Sequence, residues 1–485
     1  MGLLLLSGEW FSQIGANKGC YKNLPDLIEK DAQEINKSLG EYLDIVNPGI
    51  VNSREKLNHA LKKFKEENIN LLLICYLIWG EDYFVIEALK ELPEIPLLLW
   101  CYSPFQQLPR TMNMVDLFRS SGPVGAVQAS GPLKRMGKNF GFVFGSHQNK
   151  ETIKKIVDYS QAAKLAAGLK KMTIGILPSE CNQMSGTFVD EFRLRKELGP
   201  EIKYISVNEY HLLAQKIPEE IIKRYVKELK NSYKICGVND KSLFKSARAS
   251  LGLAKVVEKF NLDALALQDL DEELHQVFGL RPCLYVPSLF EKAVVSMEAD
   301  VGAAVALLIL KKLTGKPPMY TEIFTFDEKE NTILAGHAGI HNLNLAADKS
   351  KIKITPDKEY TESEPESAWM QFIAKPGKVT MLSLFCDVER FKMVISSGDS
   401  LPASRQAGPG KEKLDGSPHI YIKLKIPLKE FFERIVKTGM TQHWAIVHED
   451  VVDKLEYLAE ILGLEKVNVG DPKRVALRLN VVRGL

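Results

Sequence analysis

The sequence predicts an α/β protein, with two doubly wound parallel-sheet domains followed by an antiparallel β domain. Three observations predict it. Over residues 1–165, short apolar runs alternate with amphipathic stretches, the pattern of βαβ units. The same alternation restarts over 166–318. From 319 the segments shorten, become rich in Thr, Ile, Val and Phe, and are broken by Gly, Pro and Asp/Asn clusters, as antiparallel strands and their turns are. A chain of 485 residues is also too long for one core.

In the first zone, Leu3–Leu6, Ile69–Ile78, Ile95–Cys101, Val124–Gln128 and Phe140–Phe144 are the apolar runs expected as strands. Leu24–Leu39, Glu55–Glu67 and Tyr83–Leu92 carry charge on one face at helical period. In the second zone, Met172–Leu177, Lys203–Val207 and Ala264–Leu267 read as strands. Gly186–Leu198, Glu209–Lys230 (interrupted at Pro218) and Lys241–Phe260 read as helices. A nearly all-apolar helix is expected from Met297 to Leu313, stopped by Gly315-Lys316-Pro317-Pro318. In the third zone, spanning 319–485, Ser397–Pro418 reads as an exposed loop, and Leu428–Val436 and Val451–Leu462 as terminal helices.

Charge excludes some function classes. With 64 basic and 61 acidic residues, the net charge of +3 gives no electrostatic case for nucleic acid or an anionic membrane. Cys20, Cys75, Cys101, Cys181, Cys236, Cys283 and Cys386 form no CxxC pair. They are expected as reduced thiols of a cytoplasmic protein rather than a disulfide framework or a zinc site. Met1–Ser7 lacks the basic flank and cleavage site of a leader and is expected to be a buried strand. No apolar run reaches the length of a membrane span.

The residues of the commonest enzyme motifs are missing. There is no GxGxxG after the first strand, no GxxxxGK[ST], no HExxH and no GxSxG. Acids cluster instead at two places. Asp269, Asp271, Glu272 and Glu273 follow a predicted strand, whose carboxyl end is where α/β sheets bind ligands. Such acids can bind a hard cation and share protons; alternatively they mark a solvated helix start. Glu298 and Asp300 stand at the mouth of the apolar helix, where buried acids need a partner or a metal, although Asp300 could simply cap it. His337 follows a β run between small residues, and His443 stands between a turn and a strand. Either imidazole could be structural or a ligand.

These four segments, in this order, resemble the L-fucose and L-arabinose isomerase superfamily. The acidic stretch before Phe278-Gly279-Leu280-Arg281-Pro282-Cys283 is similar to the family's Glu-bearing segment. Met297-Glu298-Ala299-Asp300-Val301 is similar to its acidic motif before a buried helix, and Leu313-Thr314-Gly315-Lys316-Pro317 to that helix's stop. Asn331–His337 resembles a strand ending in His, and Gly439–Val447 with Glu449-Asp450 the C-terminal His motif. The specific part of the resemblance covers 266–450.

The resemblance implies that the C-terminal domain is barrel-like. It also implies a divalent metal, typically Mn²⁺, and aldose–ketose isomerisation of a sugar through an enediol. The family's first metal carboxylate falls on Glu272 or Glu273, and its second on Asp300 (fucose type) or Glu298 (arabinose type). Its metal-binding His falls on His443. Glu272 or Glu273 and Asp300 are then expected to exchange the proton, with His337, Gln442 and Trp444 on the substrate side. A homo-oligomer, trimer or hexamer, is implied as well. The chain departs from the family at Gln442-His443, where two His often stand, at Ala338, where Cys is common, and at Leu270-Asp271, where Trp-Pro is usual. These departures bear on the substrate.

Overall fold

A computed structural model describes residues 1–11, 21, 23–357, 367–408, 411–412 and 417–470. Cys20, residues 409–410 and 413–416 of the expected loop, and the tail 471–485 lie outside the described residues. Contacts divide the chain into two units, Met1–Ala167 with Asp453–Gly463, and Gly168–Val452 with Leu464–Leu485.

The first unit is built on a parallel sheet. Strands β1 (Gly2–Leu6), β2 (Ile50–Val51), β3 (Leu72–Tyr76), β4 (Leu97–Tyr102) and β5 (Gly141–Gly145) lie in the order β2-β1-β3-β4-β5. Leu3, Leu5, Leu73 and Cys75 enter one core, and Leu4, Leu6, Leu72 and Ile74 the other. Helices cover both faces of such a sheet, which is why its strands read as continuous apolar runs rather than alternating ones. The expected strand Val124–Gln128 is instead part of the helix Gly122–Arg135. Its buried residues, Gly122, Gly125, Ala126, Ala129 and Leu133, recur at helical spacing. Gly125 packs so closely that an added Cβ would lie 2.4 Å from the Tyr76 ring. The late helix Val452–Leu462 also serves this unit, since Tyr457 and Ile461 pack on its core.

The second unit holds a four-stranded parallel sheet. Its strands are β6 (Thr173–Leu177), β7 (Glu201–Tyr204), β9 (Ala264–Leu267) and β10 (Val294–Ser296), in the order β10-β9-β6-β7. A three-stranded sheet joins β8 (Lys234–Ile235) to β13 (Lys353–Pro356) and β14 (Ala368–Gln371). The largest sheet contains β11 (Met319–Asp327), β12 (Thr332–Gly336), β15 (Gly377–Cys386), β16 (Phe391–Ser400), β19 (His419–Leu424), β20 (His443–Val447) and β21 (Glu465–Asn468). Their order is β15-β20-β11-β12-β19-β16-β21, and β15 also pairs with β16. This sheet is mixed rather than purely antiparallel, because β21 runs parallel to β16. A short pair, β17 (Ala407–Gly408) and β18 (Lys411–Glu412), interrupts the expected loop.

The helix Val301–Thr314 ties these layers together. Its first ten residues are all buried, and it touches β9 and β10 as well as β15 and β20. A helix that is apolar all round needs such cover on every side. Gly302 permits the contact with β15, since a Cβ there would lie 2.2 Å from the Leu384 carbonyl oxygen. The helix begins at Val301 rather than at Met297 because Glu298 and Ala299 are left-handed, with φ of 58° and 52°. Three further boundaries differ from expectation. Gly186–Leu198 reduces to the helix Glu191–Glu197 after a short 3₁₀ turn. The strand expected over Lys203–Val207 is shifted to Glu201–Tyr204, because Ser206 caps the next helix. Residues 397–400, expected in the loop, complete β16. No helix among the described residues is long and apolar enough to cross a membrane.

Candidate metal centre

Three separate elements of the second unit deliver one cluster. Glu298 comes from the left-handed turn between β10 and the buried helix. His337 follows the last residue of β12, and His443 opens β20. Strand β11 lies between β12 and β20, so the two imidazoles arrive on either side of it. Tyr320 of β11 fills the gap, with its ring centroid 4.6 Å from His337 and 4.7 Å from His443. Its hydroxyl donates to the Met297 carbonyl at 3.1 Å.

The Glu298 carboxylate forks between the imidazoles. Oε2 stands 2.9 Å from His443 Nε2, and Oε1 stands 3.6 Å from His337 Nε2. One ligand atom from each residue lies within 4.8 Å of the others. All three residues are buried. The far nitrogens are already engaged. His443 Nδ1 donates to Asp300 Oδ2 at 2.8 Å, and His337 Nδ1 donates to the Ala338 carbonyl at 2.6 Å. Each Nε2 faces the Glu298 carboxylate, but among the described residues neither reaches good hydrogen-bond geometry. A buried nitrogen in poor hydrogen-bond geometry is costly, and imidazoles held at Nδ1 present Nε2 to a metal. One carboxylate and two such nitrogens at a common point are a donor set that fits a divalent cation.

Electrostatics agree with this geometry. Burial opposes the Glu298 charge, but His337 and His443 outweigh it and lower its pKa to about 2. Burial likewise opposes a charged His443, but Asp300 and Glu298 raise its pKa to about 9. A proton on His443 thus supplies positive charge at the point where a cation would supply it. Burial first, then the surrounding carboxylates, push the Tyr320 hydroxyl far above its ordinary range. His341, whose Nε2 meets the His337 carbonyl at 2.9 Å, is lowered to about 4 by burial.

The other expected site residues take different places. Asp300 caps the buried helix, with Oδ1 accepting from Ala303 N at 2.7 Å, and its second oxygen holds His443. Gln442 is exposed at the edge, 3.4 Å from Glu298 Oε2 and 3.0 Å from Met184 Sδ. Trp444 is buried against Phe431, with ring centroids 6.0 Å apart. As the next residue of the strand, it points to the face opposite His443. Glu272 and Glu273 are exposed in the first turn of the helix Glu272–Phe278, and neither belongs to the cluster. The fully buried acid of that stretch is Asp269.

Glu322 escaped the sequence reading of the site, and Asp269 was read only as one acid of the 269–273 cluster. Asp269 bonds the Glu298 amide at 2.9 Å and Arg281 at 3.2 Å. Glu322 of β11 lies directly across from His443 on β20 and from Gly336 on β12. Directly opposed residues share a face, so half-buried Glu322 lies on the face of Tyr320 and His443. Its i, i+2 spacing from Tyr320 was the available signal.

No family model matches the chain. A protein of Priestia aryabhattai named sulfoquinovose isomerase is 22% identical over 423 residues, covering 86% of this chain and 89% of the relative. A second of that name, from Alkalicoccus urumqiensis, is 20% identical over 391 residues, covering 79% and 83%. A protein of Anoxybacillus flavithermus named L-arabinose isomerase is 22% identical over 361 residues, covering 72% and 70%.

Proposed function

We propose that this chain, whose homologues belong to the superfamily of fucose and arabinose isomerases, is itself a metal-dependent aldose–ketose isomerase acting on a sugar. The observation that carries this reading is the convergence of the Glu298 carboxylate with the Nε2 atoms of His337 and His443. Glu298, His337 and His443 would hold the cation, with Glu322 on the same face of the sheet. When bound, a divalent ion such as Mn²⁺ polarises the carbonyl and grips neighbouring hydroxyl oxygens.

The chain's own residues do the rest. Asp300 fixes the His443 ring by accepting from Nδ1 and so keeps Nε2 aimed at the centre. Moving a carbonyl from C1 to C2 requires a carboxylate to take a proton from one carbon and return it to the other. Glu298 and Glu322 are the carboxylates on that face. The exposed Glu272 and Glu273 therefore give up this role in our reading, and Asp300 acts through His443. Tyr320 closes the floor between the imidazoles.

The names of the relatives specify two different sugars, so the substrate is read from a panel. Chelator-treated protein is incubated with sulfoquinovose, L-arabinose and L-fucose, with and without added Mn²⁺, and ketose formation is followed by NMR. Conversion of one sugar that requires the metal is expected. A protein that binds no divalent ion would sink the reading. A modified sugar as substrate is the second reading, favoured by the name shared by the two sulfoquinovose isomerases. Conversion of sulfoquinovose alone would establish it.

A further inference from the structure

The turn that carries Glu298 is strained and held from outside. Glu298 and Ala299 are consecutive left-handed residues, neither of them glycine, and such conformations persist only where the surroundings over-determine them. Two groups leaving β9 do so. The Leu267 carbonyl accepts from Ala299 N at 3.0 Å, and Asp269 Oδ1 accepts from Glu298 N at 2.9 Å. Asp269 is itself locked. Its Oδ2 accepts from Arg281 Nη1 at 3.2 Å, while Arg281 Nε and Nη2 donate to the two oxygens of Asp357 at 2.9 and 3.0 Å. Asp269, Arg281 and Asp357 are all at most 1% exposed. A charged network this deeply buried is costly to maintain, and on the Asp269 side it reaches the Glu298 backbone amide.

We propose that Asp269 is a positioning residue that, through its own bond to the Glu298 amide, holds the Glu298–Ala299 turn left-handed and thereby aims the Glu298 carboxylate at His337 and His443. The proposal rests on the metal-centre reading above. An acidic residue beside a cation site here serves the backbone rather than the ion: its two oxygens are committed to an amide and a guanidinium. Without it, the Glu298 backbone relaxes toward right-handed values and the carboxylate swings away from the imidazoles.

Calorimetric titration of the metal-free full-length chain with Mn²⁺ tests this directly, with circular dichroism reporting folding. Wild type is expected to bind one ion, and Glu298→Gln to abolish that binding. No binding by wild type would overturn the metal-centre reading and this one with it. Asp269→Asn is expected to weaken Mn²⁺ binding by about 10- to 100-fold, as loss of a group that orients a ligand does. Equal affinity in Asp269→Asn and wild type would overturn the positioning role and leave the metal reading intact.

Ala299→Gly adds a readout that a purely structural role would not move. Glycine adopts the left-handed conformation without steric cost. In the Asp269→Asn background it should recover affinity about fivefold, and in wild type it should change affinity less than about twofold. The same change in both backgrounds would overturn the proposal. Should Asp269→Asn not fold, Asp357→Asn decides. It loosens Arg281 from the far side and keeps the Asp269–Glu298 bond, so Mn²⁺ affinity should stay within about twofold even as the melting temperature falls. A loss of about tenfold there would overturn the assignment, because the effect would then belong to the ion network in general.

Discussion

At Glu298, one side chain is asked to satisfy two imidazoles at once, and its value depends on charge. Glu298→Gln keeps the shape and removes the charge. It should cost turnover and Mn²⁺ affinity more than the 10- to 100-fold typical of outlying partners, as read by calorimetry and an isomerase assay. Glu272→Gln with Glu273→Gln should leave turnover within about twofold, because both side chains are exposed outside the cluster. A hundredfold loss in that double variant would return the proton transfer to this pair. At this scale the sequence was informative where a residue's neighbours in sequence are also its neighbours in space. Glu298, His337 and His443 could be picked out because short motifs surround them. Asp269 could not be told from Glu272, because its burial depends on Arg281 and on Asp357, which lies far along the chain. Glu322 acquires meaning only through its pairing with His443, more than a hundred residues away in sequence.

Among the elements, the buried helix Val301–Thr314 has the most influence on the site. It anchors Asp300 at its mouth and presses Gly302 against β15. Gly302→Ala would force a methyl group into the Leu384 carbonyl and should destabilise by about 1–3 kcal/mol, measured by urea unfolding. Because the shift moves Asp300, and Asp300 holds His443, Mn²⁺ affinity should fall too. Unchanged affinity would show that the helix can retreat without disturbing its mouth. This helix was readable from its unbroken apolar run and its Gly-Pro stop, but its start was not. Local pattern cannot reveal that Glu298 and Ala299 are left-handed, since the groups that hold them come from β9 and the residues after it. Val124–Gln128 failed for a related reason. Five mostly apolar residues fit a strand or a helix equally well, and only the tight approach of Gly125 to Tyr76 decides.

For the whole molecule, titrating groups pull stability in opposite directions. His443, at about 9 in the folded chain against an ordinary 6.5, contributes stability that is present below pH 6.5 and lost as pH rises through 9. Glu298, at about 2 against 4.5, contributes above pH 4.5 and loses that contribution as pH falls through 2. His341 and His448, both at about 4 against 6.5, contribute above pH 6.5 and lose that contribution as pH falls through 4. Metal-free protein should therefore melt highest near pH 6.5 and lower on both sides, as scanned by calorimetry in chelator. A flat melting temperature from pH 6.5 to 9 would contradict the charge assigned to His443. Mn²⁺ at a hundred times its dissociation constant should add about 2.7 kcal/mol. At one fixed Mn²⁺ concentration the increment should grow toward pH 9, because the ion then no longer competes with a proton and binds more tightly.

The route of the chain past Val452 has a consequence for how the protein can be divided. It lends the helix Val452–Leu462 to the N-terminal core and then returns with β21 to edge the large mixed sheet. Neither half is therefore a self-sufficient module. A premature stop codon anywhere before residue 453 strips a packing element from one half and a strand from the other in a single event. Recombination that grafts residues 1–167 onto another protein would leave an apolar floor uncovered.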